Sequence, residues 1–500
     1  MQEQEKDEQR GATEFMYGED SNGIPWQRLG SGLGLSMISA FLFAAAFPPY
    51  NLWPLIFFGL APMIFSQHRL MPEKFSGVAY GIGVGGFFGL YFMGMFGNGP
   101  WFMQALPLSI ALIAGAASSR DRRFHQRTNY RWFLLQGPLV WVGIELIRGV
   151  IPTVGTWGFA AYALYSQPWL IQPVSIFGIY GMSFLILVVN YALALGVIAL
   201  YDHRWGSQKK QTLITSSVYR KSFLGAGITA LAWLILSLVL FIAPFSGQGA
   251  TVRAAAVQPA LKVQTWAGVE EIIELTREAA DRGAELVVWH EGALPFDPRE
   301  ENPEAFQELA SELDIHLVIG YGLETEPGYR NEALILTPEG EFLGPYGKDH
   351  PVAWSGEKSL TRGPHRAYPT SLGRLGMIIC YDLDFTDSIR EVALDGARLV
   401  AVPSLDWPAI AAKHYTHLVF RAVENRTAVI KADIAYDSAL IGPKGRILAS
   451  EVSPEAEREI LLAEVPLGPQ QTWVRHLGDW FGWLCLAGMI AVLGSYPFQT

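Results

Sequence analysis

Three reactive side chains follow short apolar runs in the second half of this 500-residue chain. Glu291 follows Leu286-Val287-Val288-Trp289-His290, Lys348 ends Gly344-Pro345-Tyr346-Gly347, and Cys380 follows Met377-Ile378-Ile379. A carboxylate, an ammonium and a thiol form a set able to move an acyl group through a thioester. The carboxylate takes the thiol proton, the sulfur attacks a carbonyl, and the positive charge steadies the oxyanion. Apolar neighbours would raise the carboxyl pKa toward neutrality, which suits a base. Taken one at a time, each residue also has a plainer reading: a surface glutamate, a solvated lysine, an inert buried thiol.

Such residues need a sheet to carry them, and residues 250–466 alternate in the manner of β and α elements. Strands are predicted at Ala254–Val257, Leu286–Trp289, Leu317–Gly320, Ala333–Thr337, Met377–Ile379, Leu399–Val402, Thr427–Lys431 and Ser438–Gly442. Ile272, Leu275 and Ala279 share one helical face, and Phe306, Leu309 and Leu313 share another. Pro338-Glu339-Gly340 and Pro443-Lys444-Gly445 read as hairpin turns. Gly373-Arg374-Leu375-Gly376, then a short strand, then Cys380-Tyr381 make an elbow. There the sulfur is exposed and backbone N–H groups lie close to a developing oxyanion.

The first half has a different character. Half of all residues are hydrophobic, only 17% are charged, and 16 Trp and 28 Phe exceed what a soluble core needs. Apolar spans are predicted at roughly 31–47, 52–67, 75–97, 102–118, 132–150, 181–201, 222–244 and 478–495. Charge alternates between the loops. Arg69 and Lys74 follow span two, five arginines from Arg120 to Arg131 follow span four, and Arg204, Lys209, Lys210, Arg220 and Lys221 follow span six. The intervening Phe47–Tyr50, Gly97–Pro100 and 149–168 carry none.

That alternation puts the basic loops in the cytoplasm. Residues 1–30 read as a disordered, acidic cytoplasmic tail, 31–245 as a seven-span bundle, 250–466 as an extracytoplasmic domain and 478–496 as a returning helix. The net charge of −10 argues against a nucleic-acid surface. Cys485 lies in an apolar span, so it and Cys380 form no disulfide framework.

Glu291, Lys348 and Cys380, in this order, resemble the Glu–Lys–Cys triad of the nitrilase (carbon–nitrogen hydrolase) superfamily. Glu357, Val402-Pro403-Ser404, Arg421–Asn425 and Gly442–Arg446 are further marks of it. With the spans around it, the chain is similar to the apolipoprotein N-acyltransferase family, whose membrane stretches resemble Phe47–Pro54 and Gly178–Phe184. The resemblance implies an α-β-β-α sandwich outside an α-helical transmembrane bundle of about eight spans, in the bacterial plasma (inner) membrane. It implies that Glu291 is the base, that Cys380 is the nucleophile, and that Lys348 and the Tyr381 backbone N–H bind the oxyanion. Glu357 would orient the lysine. The implied reaction takes a fatty acyl group from a phospholipid to the N-terminal amine of a diacylglyceryl-cysteine apolipoprotein, with no cofactor.

The chain departs from the family pattern at Asp382, where a glutamate is usual, at Ser404-Leu405-Asp406-Trp407-Pro408 and at Lys431-Ala432-Asp433-Ile434. These departures keep a membrane-tethered amidase or hydrolase, with water as the acceptor, as the alternative. A transporter or receptor would show intramembrane charges and repeats, which are sparse or absent here. Trp266, Trp354 and Trp407 are candidate substrate-binding residues, the last two as apolar lids. His414 and His417, three apart on a helix, lack a third ligand at suitable spacing, so no metal site is expected.

Overall fold

The computed structural model describes residues 26–96, 101–205, 214–244, 250–260, 265–326, 328–468 and 472–495. The acidic segment 1–25, loop 97–100, Lys209 and Lys210 lie outside the described residues. The chain divides into two compact units, one of residues 1–140, 184–230 and 488–500, the other of residues 141–183 and 231–487.

The apolar helices are α1 (Trp26–Ala45), α2 (Ser76–Tyr91), α3 (Leu106–Ala117), α4 (Phe133–Gly149), α5 (Val174–Trp205) and α6 (Ser216–Ile242). Three of them, α1, α5 and α6, are long and apolar enough to cross a bilayer. Helix α1 begins at Trp26, so residues 26–30 are helical rather than part of a tail.

In the first unit α2 lies close against α3 because its glycines leave room. A Cβ on Gly77 would stand 2.1 Å from the Gly115 carbonyl oxygen, and one on Gly81 would stand 2.5 Å from that of Ala111. The predicted span 52–67 is not one helix. It is a 3₁₀ turn, Trp53–Phe57, and a short helix, Ala61–Phe65. Pro54, Gly59 and Pro62 interrupt it, and Asn190 satisfies the break, accepting from Leu60 N–H at 2.9 Å and donating to the Ile56 carbonyl at 2.8 Å. Arg69 makes two bonds to Asp202, at 2.6 and 2.7 Å, and one to Tyr130 Oη at 2.6 Å.

The second unit holds two six-stranded sheets. The first has order β12-β1-β2-β3-β4-β5 and the second β11-β10-β9-β8-β7-β6. In chain order the strands are β1 (Thr251–Pro259), β2 (Leu286–Val288), β3 (His316–Thr325), β4 (Gly328–Leu336), β5 (Phe342–Gly347), β6 (Ala367–Thr370), β7 (Gly373–Met377), β8 (Leu399–Ser404), β9 (Ala428–Asp433), β10 (Asp437–Ile441), β11 (Ile447–Val452) and β12 (Arg458–Pro466). Helices α7 (Trp266–Asp281) and α8 (Pro303–Leu313) cover the first sheet through Ile272, Leu275, Phe306 and Leu309. Helices α9 (Thr386–Leu394) and α10 (Pro408–Asn425) cover the second, while β1, β2 and β3 of the first face β8, β9 and β10. The layers run α-β-β-α. Seven of the eight predicted strands and both hairpins are present, the eighth, Met377–Ile379, keeps only Met377 in a strand, and β5, β6, β11 and β12 are additional.

Helix α10 also carries the contacts to segment 141–183. Arg421 Nη2 donates to Tyr162 Oη at 2.9 Å, and Glu424, paired with Arg421, accepts the Ile179 N–H at 2.9 Å. Thr156 N–H and Oγ1 both bond the Asp384 carbonyl, and Trp157 Nε1 donates to Asp384 Oδ2 at 2.8 Å. The uncharged 149–168 stretch therefore braces the turn that follows Cys380. A last apolar helix, α11 (Trp480–Gly494), ends the described chain.

Candidate active site

The sheet edges deliver the reactive residues. Parallel pairing of β2 with β1 and β3 directs its C-terminal end, and thus Glu291, to the rim where α/β folds collect their sites. Parallel pairing of β7, β8 and β9 does the same for Cys380, Asp406 and Asp433. Lys348 follows the last residue of β5, and its N–H donates to the Asn331 carbonyl at 2.9 Å.

Lys348 Nζ lies 2.8 Å from Glu291 Oε1 and 2.9 Å from Glu357 Oε2. Asn331, on β4, donates to the same Glu291 oxygen at 2.6 Å and to Glu357 Oε1 at 2.8 Å. Glu357 also accepts the Val352 N–H at 2.7 Å, which ties the 351–357 loop to the lysine. Burial holds the Glu291 carboxyl above the ordinary carboxylate range, against the pull of Lys348. Burial opposes the charge on Lys348, yet Glu291, Cys380 and Glu357 keep its ammonium well above the ordinary lysine value.

Strand β7 is formed by Gly373–Met377, so the predicted turn Gly373–Gly376 is strand, paired with β6, and Ile378 and Ile379 leave the ladder to enter the turn at Cys380. Cys380 has φ of +45°, a conformation costly for a residue with a Cβ, and opens a 3₁₀ turn, Cys380–Asp384. Asp382 holds that turn. It accepts from Tyr346 Oη at 2.8 Å, from the His350 N–H at 2.7 Å and from the Ile379 N–H at 3.1 Å. Burial opposes the charge, but His350 and these donors keep the carboxyl below the usual aspartate value. Aspartate in place of glutamate thus fits a short, fully occupied pocket. Tyr381 follows the sulfur, its ring edge-on to Phe385 at 5.4 Å.

Cys380 is only 5% exposed, so the elbow buries the sulfur that the sequence reading places in the open. Burial raises its pKa well above the ordinary cysteine value, Glu291 and Asp406 raise it further, and Lys348 and the Leu405 N–H oppose them. Trp354 and Trp407 meet edge to face at 5.5 Å, so the two predicted lid residues form one aromatic pair. Trp266 does not join them. It is 61% exposed at the start of α7, with its ring tilted against that of Phe296 at 5.6 Å.

Asn331 escaped the sequence reading of the site, and Asp406 entered it only as part of a departure from the family pattern. A buried asparagine next to Ala333-Leu334-Ile335-Leu336 was the available signal for the first. The imidazole of His414 lies 2.5 Å from Asp406, and that of His417 lies 2.5 Å from Asp384. The ligand atoms of Cys380, Asp406 and His414 lie within 4.8 Å of one another, and the Lys431 ammonium already supplies positive charge beside Asp406, at 2.8 Å.

This fold and this cluster define a carbon–nitrogen hydrolase domain, and the profile of that family, "Carbon-nitrogen hydrolase", matches residues 253–475. A second profile, "Apolipoprotein N-acyltransferase N-terminal domain", matches residues 39–192. The chain belongs to the apolipoprotein N-acyltransferase family. It is 27% identical to the apolipoprotein N-acyltransferase of Geobacter metallireducens, across 93% of this chain and 95% of that protein. It is 24% identical to that of Thermosynechococcus vestitus, across 89% and 92% of the two chains. The match to the one in Shewanella oneidensis is 25%, across 92% and 95%. Relatives of one activity along nearly the whole length do not favour a tethered hydrolase.

Proposed function

We propose that this protein is a membrane N-acyltransferase that carries a fatty acyl group from a phospholipid, through a Cys380 thioester, to the N-terminal amine of a diacylglyceryl-cysteine apolipoprotein. In the first half-reaction Glu291 takes the thiol proton and the sulfur attacks the ester carbonyl. Lys348 and the Tyr381 N–H carry the oxyanion charge. The ester C–O bond then breaks, and the lysophospholipid leaves with the proton held by Glu291. In the second, Glu291 takes a proton from the attacking amine, the C–S bond breaks, and the thiolate is reprotonated.

The observation that carries this reading is the salt-bridged Glu291–Lys348 pair, 2.8 Å apart, whose charges both act on the Cys380 thiol. Trp354 and Trp407 contact acyl chains and exclude water from the thioester. Trp266 contributes to lipid contact from α7.

The same reading places the protein in the bacterial inner membrane with about eight spans. Its domains are a cytoplasmic tail that ends where α1 begins, at Trp26 rather than residue 31, a bundle from there to 245, an extracytoplasmic catalytic domain at 250–466 and a returning helix at 478–496. The loop-charge alternation supports that orientation. The test is intact mass of the detergent-purified protein after incubation with phospholipid, then with a diacylated lipopeptide. A fatty-acyl mass addition that Cys380→Ser abolishes, and that the lipopeptide discharges as triacylated product, is the expected result. A folded protein that forms no adduct overturns the proposal.

A further inference from the structure

Behind the nucleophile lies a buried ionic cluster to which the reaction above gives no part. Cys380 Sγ donates to Asp406 Oδ1 at 3.5 Å. The other Asp406 oxygen receives Lys431 Nζ at 2.8 Å and the His414 imidazole at 2.5 Å, and the Asp406 N–H bonds Asp433 Oδ2 at 2.8 Å. Lys431 is fully buried on β9 and also pairs with Asp437. The parallel register sets Val402 against Lys431 and Ser404 against Asp433, so β9 presents the ammonium to the residues just beyond β8.

A buried lysine is costly unless its charge is used. Here it neutralises a carboxylate whose free oxygen faces the thiol. We propose that Asp406 is a positioning residue for Cys380: its Oδ1 holds the resting S–H, and Lys431 clamps the carboxylate in that pose. This rests on Cys380 being the nucleophile, as proposed above. The S–H turns from Asp406 to Glu291 when the ester arrives, and Asp406 itself exchanges no proton. An ionised Asp406 against the sulfur disfavours thiolate, so the resting thiol is guarded from alkylation and oxidation.

Glu291, Lys348 and Asp406 act directly on this thiol, and the charged groups around them come from every surrounding element. Glu291 follows β2, Lys348 and Glu357 lie beyond β5, and Asp384 and Tyr381 sit on the turn itself. Asp406 follows β8, His414 is on α10, Lys431 and Asp433 are on β9, and Asp437 opens β10. Burial opposes ionisation of Asp406, but His414 and Lys431 hold its carboxyl far below the usual aspartate value, so it stays charged throughout the working range.

The test is the pH dependence of Cys380 alkylation by N-ethylmaleimide in the full-length, detergent-solubilised protein, in a Cys485→Ser background. Asp406→Asn removes the anion beside the sulfur. The midpoint is expected to fall by about one unit, giving about tenfold faster alkylation at neutral pH, while acyl-adduct formation slows. Lys431→Met leaves the anion uncompensated, and the midpoint is expected to rise. A loss of packing alone would expose the thiol and speed alkylation in both variants. An unchanged midpoint in either variant, or shifts of the same sign in both, overturns the proposal. Lys431→Met decides alone if Asp406→Asn does not fold. Opposed shifts in a protein whose unsubstituted form takes no acyl group would sink the acyl-transfer reading and leave the positioning role standing.

Discussion

Asn331 Nδ2 stands 2.6 Å from Glu291 Oε1, on the same oxygen that receives Lys348. The amide therefore fixes the rotamer of the proposed base and spaces it from Glu357. Asn331→Ala leaves both carboxylates to drift, and a displacement of this kind costs about 10²-fold in rate. Single-turnover acylation with fluorescent phospholipid measures it. A variant with unimpaired acylation would remove Asn331 from the site.

As the proposed base, Glu291 must be ionised to accept the thiol proton, and burial holds its carboxyl above the ordinary range. Acylation is therefore expected to climb with pH along a limb whose midpoint lies above about 4.3, the value of a free glutamate. Glu291→Gln abolishes that limb along with most of the rate. Rate-against-pH curves for the two proteins check this.

Asp382 is stabilising in its charged form. Its folded value lies below the unfolded one, so its contribution is complete above the ordinary aspartate value and is lost as pH falls through the folded value. Asp382→Asn weakens a buried acceptor of several donors and is expected to cost ~1–3 kcal/mol, with the loss largest at neutral pH. Asp382→Glu, which adds a methylene to a full pocket, costs about 1–3 kcal/mol as well. Denaturant unfolding in detergent, near neutral and at acid pH, separates the two effects.

Glu424 neutralises Arg421 and caps the Ile179 N–H. Glu424→Ala strands a buried guanidinium, at a cost of ~3–5 kcal/mol. The double variant Arg421→Met/Glu424→Leu is expected to lose much less, because no charge is left unpaired. Thermal unfolding of both variants tests it, and an equal loss would refute the pairing argument.

Trp354 and Trp407 contact each other at 5.5 Å. Trp354→Ala opens the pair, so more of the thioester is expected to be lost to water. The ratio of free fatty acid to triacylated peptide should rise several-fold, and an unchanged ratio would argue against a water-excluding role.

Much of this protein follows from short-range order. Alternation of apolar and polar residues is a property of five to ten neighbours, so β2 and the elbow at Cys380 could be read from the chain, as could α7 and α8, whereas Gly373–Gly376, which reads as a turn, pairs into β7. Strands β5, β6, β11 and β12 could not, because they lie at the sheet margins with mixed, half-exposed faces that lack a clean period of two. The break in the 52–67 stretch has a local cause in Pro54, Gly59 and Pro62, but Asn190, which makes it tolerable, lies 130 residues away. The reach of Asn331 to Glu291, 40 residues apart, and of Lys431 to Asp406, 25 apart, depends on strand order and register. Strand order is set by long-range pairing of buried faces, a cooperative outcome that no window of sequence contains. The proposed nucleophile and its partners are thus local features, and their convergence with the ionic cluster behind the sulfur belongs to the folded sheets.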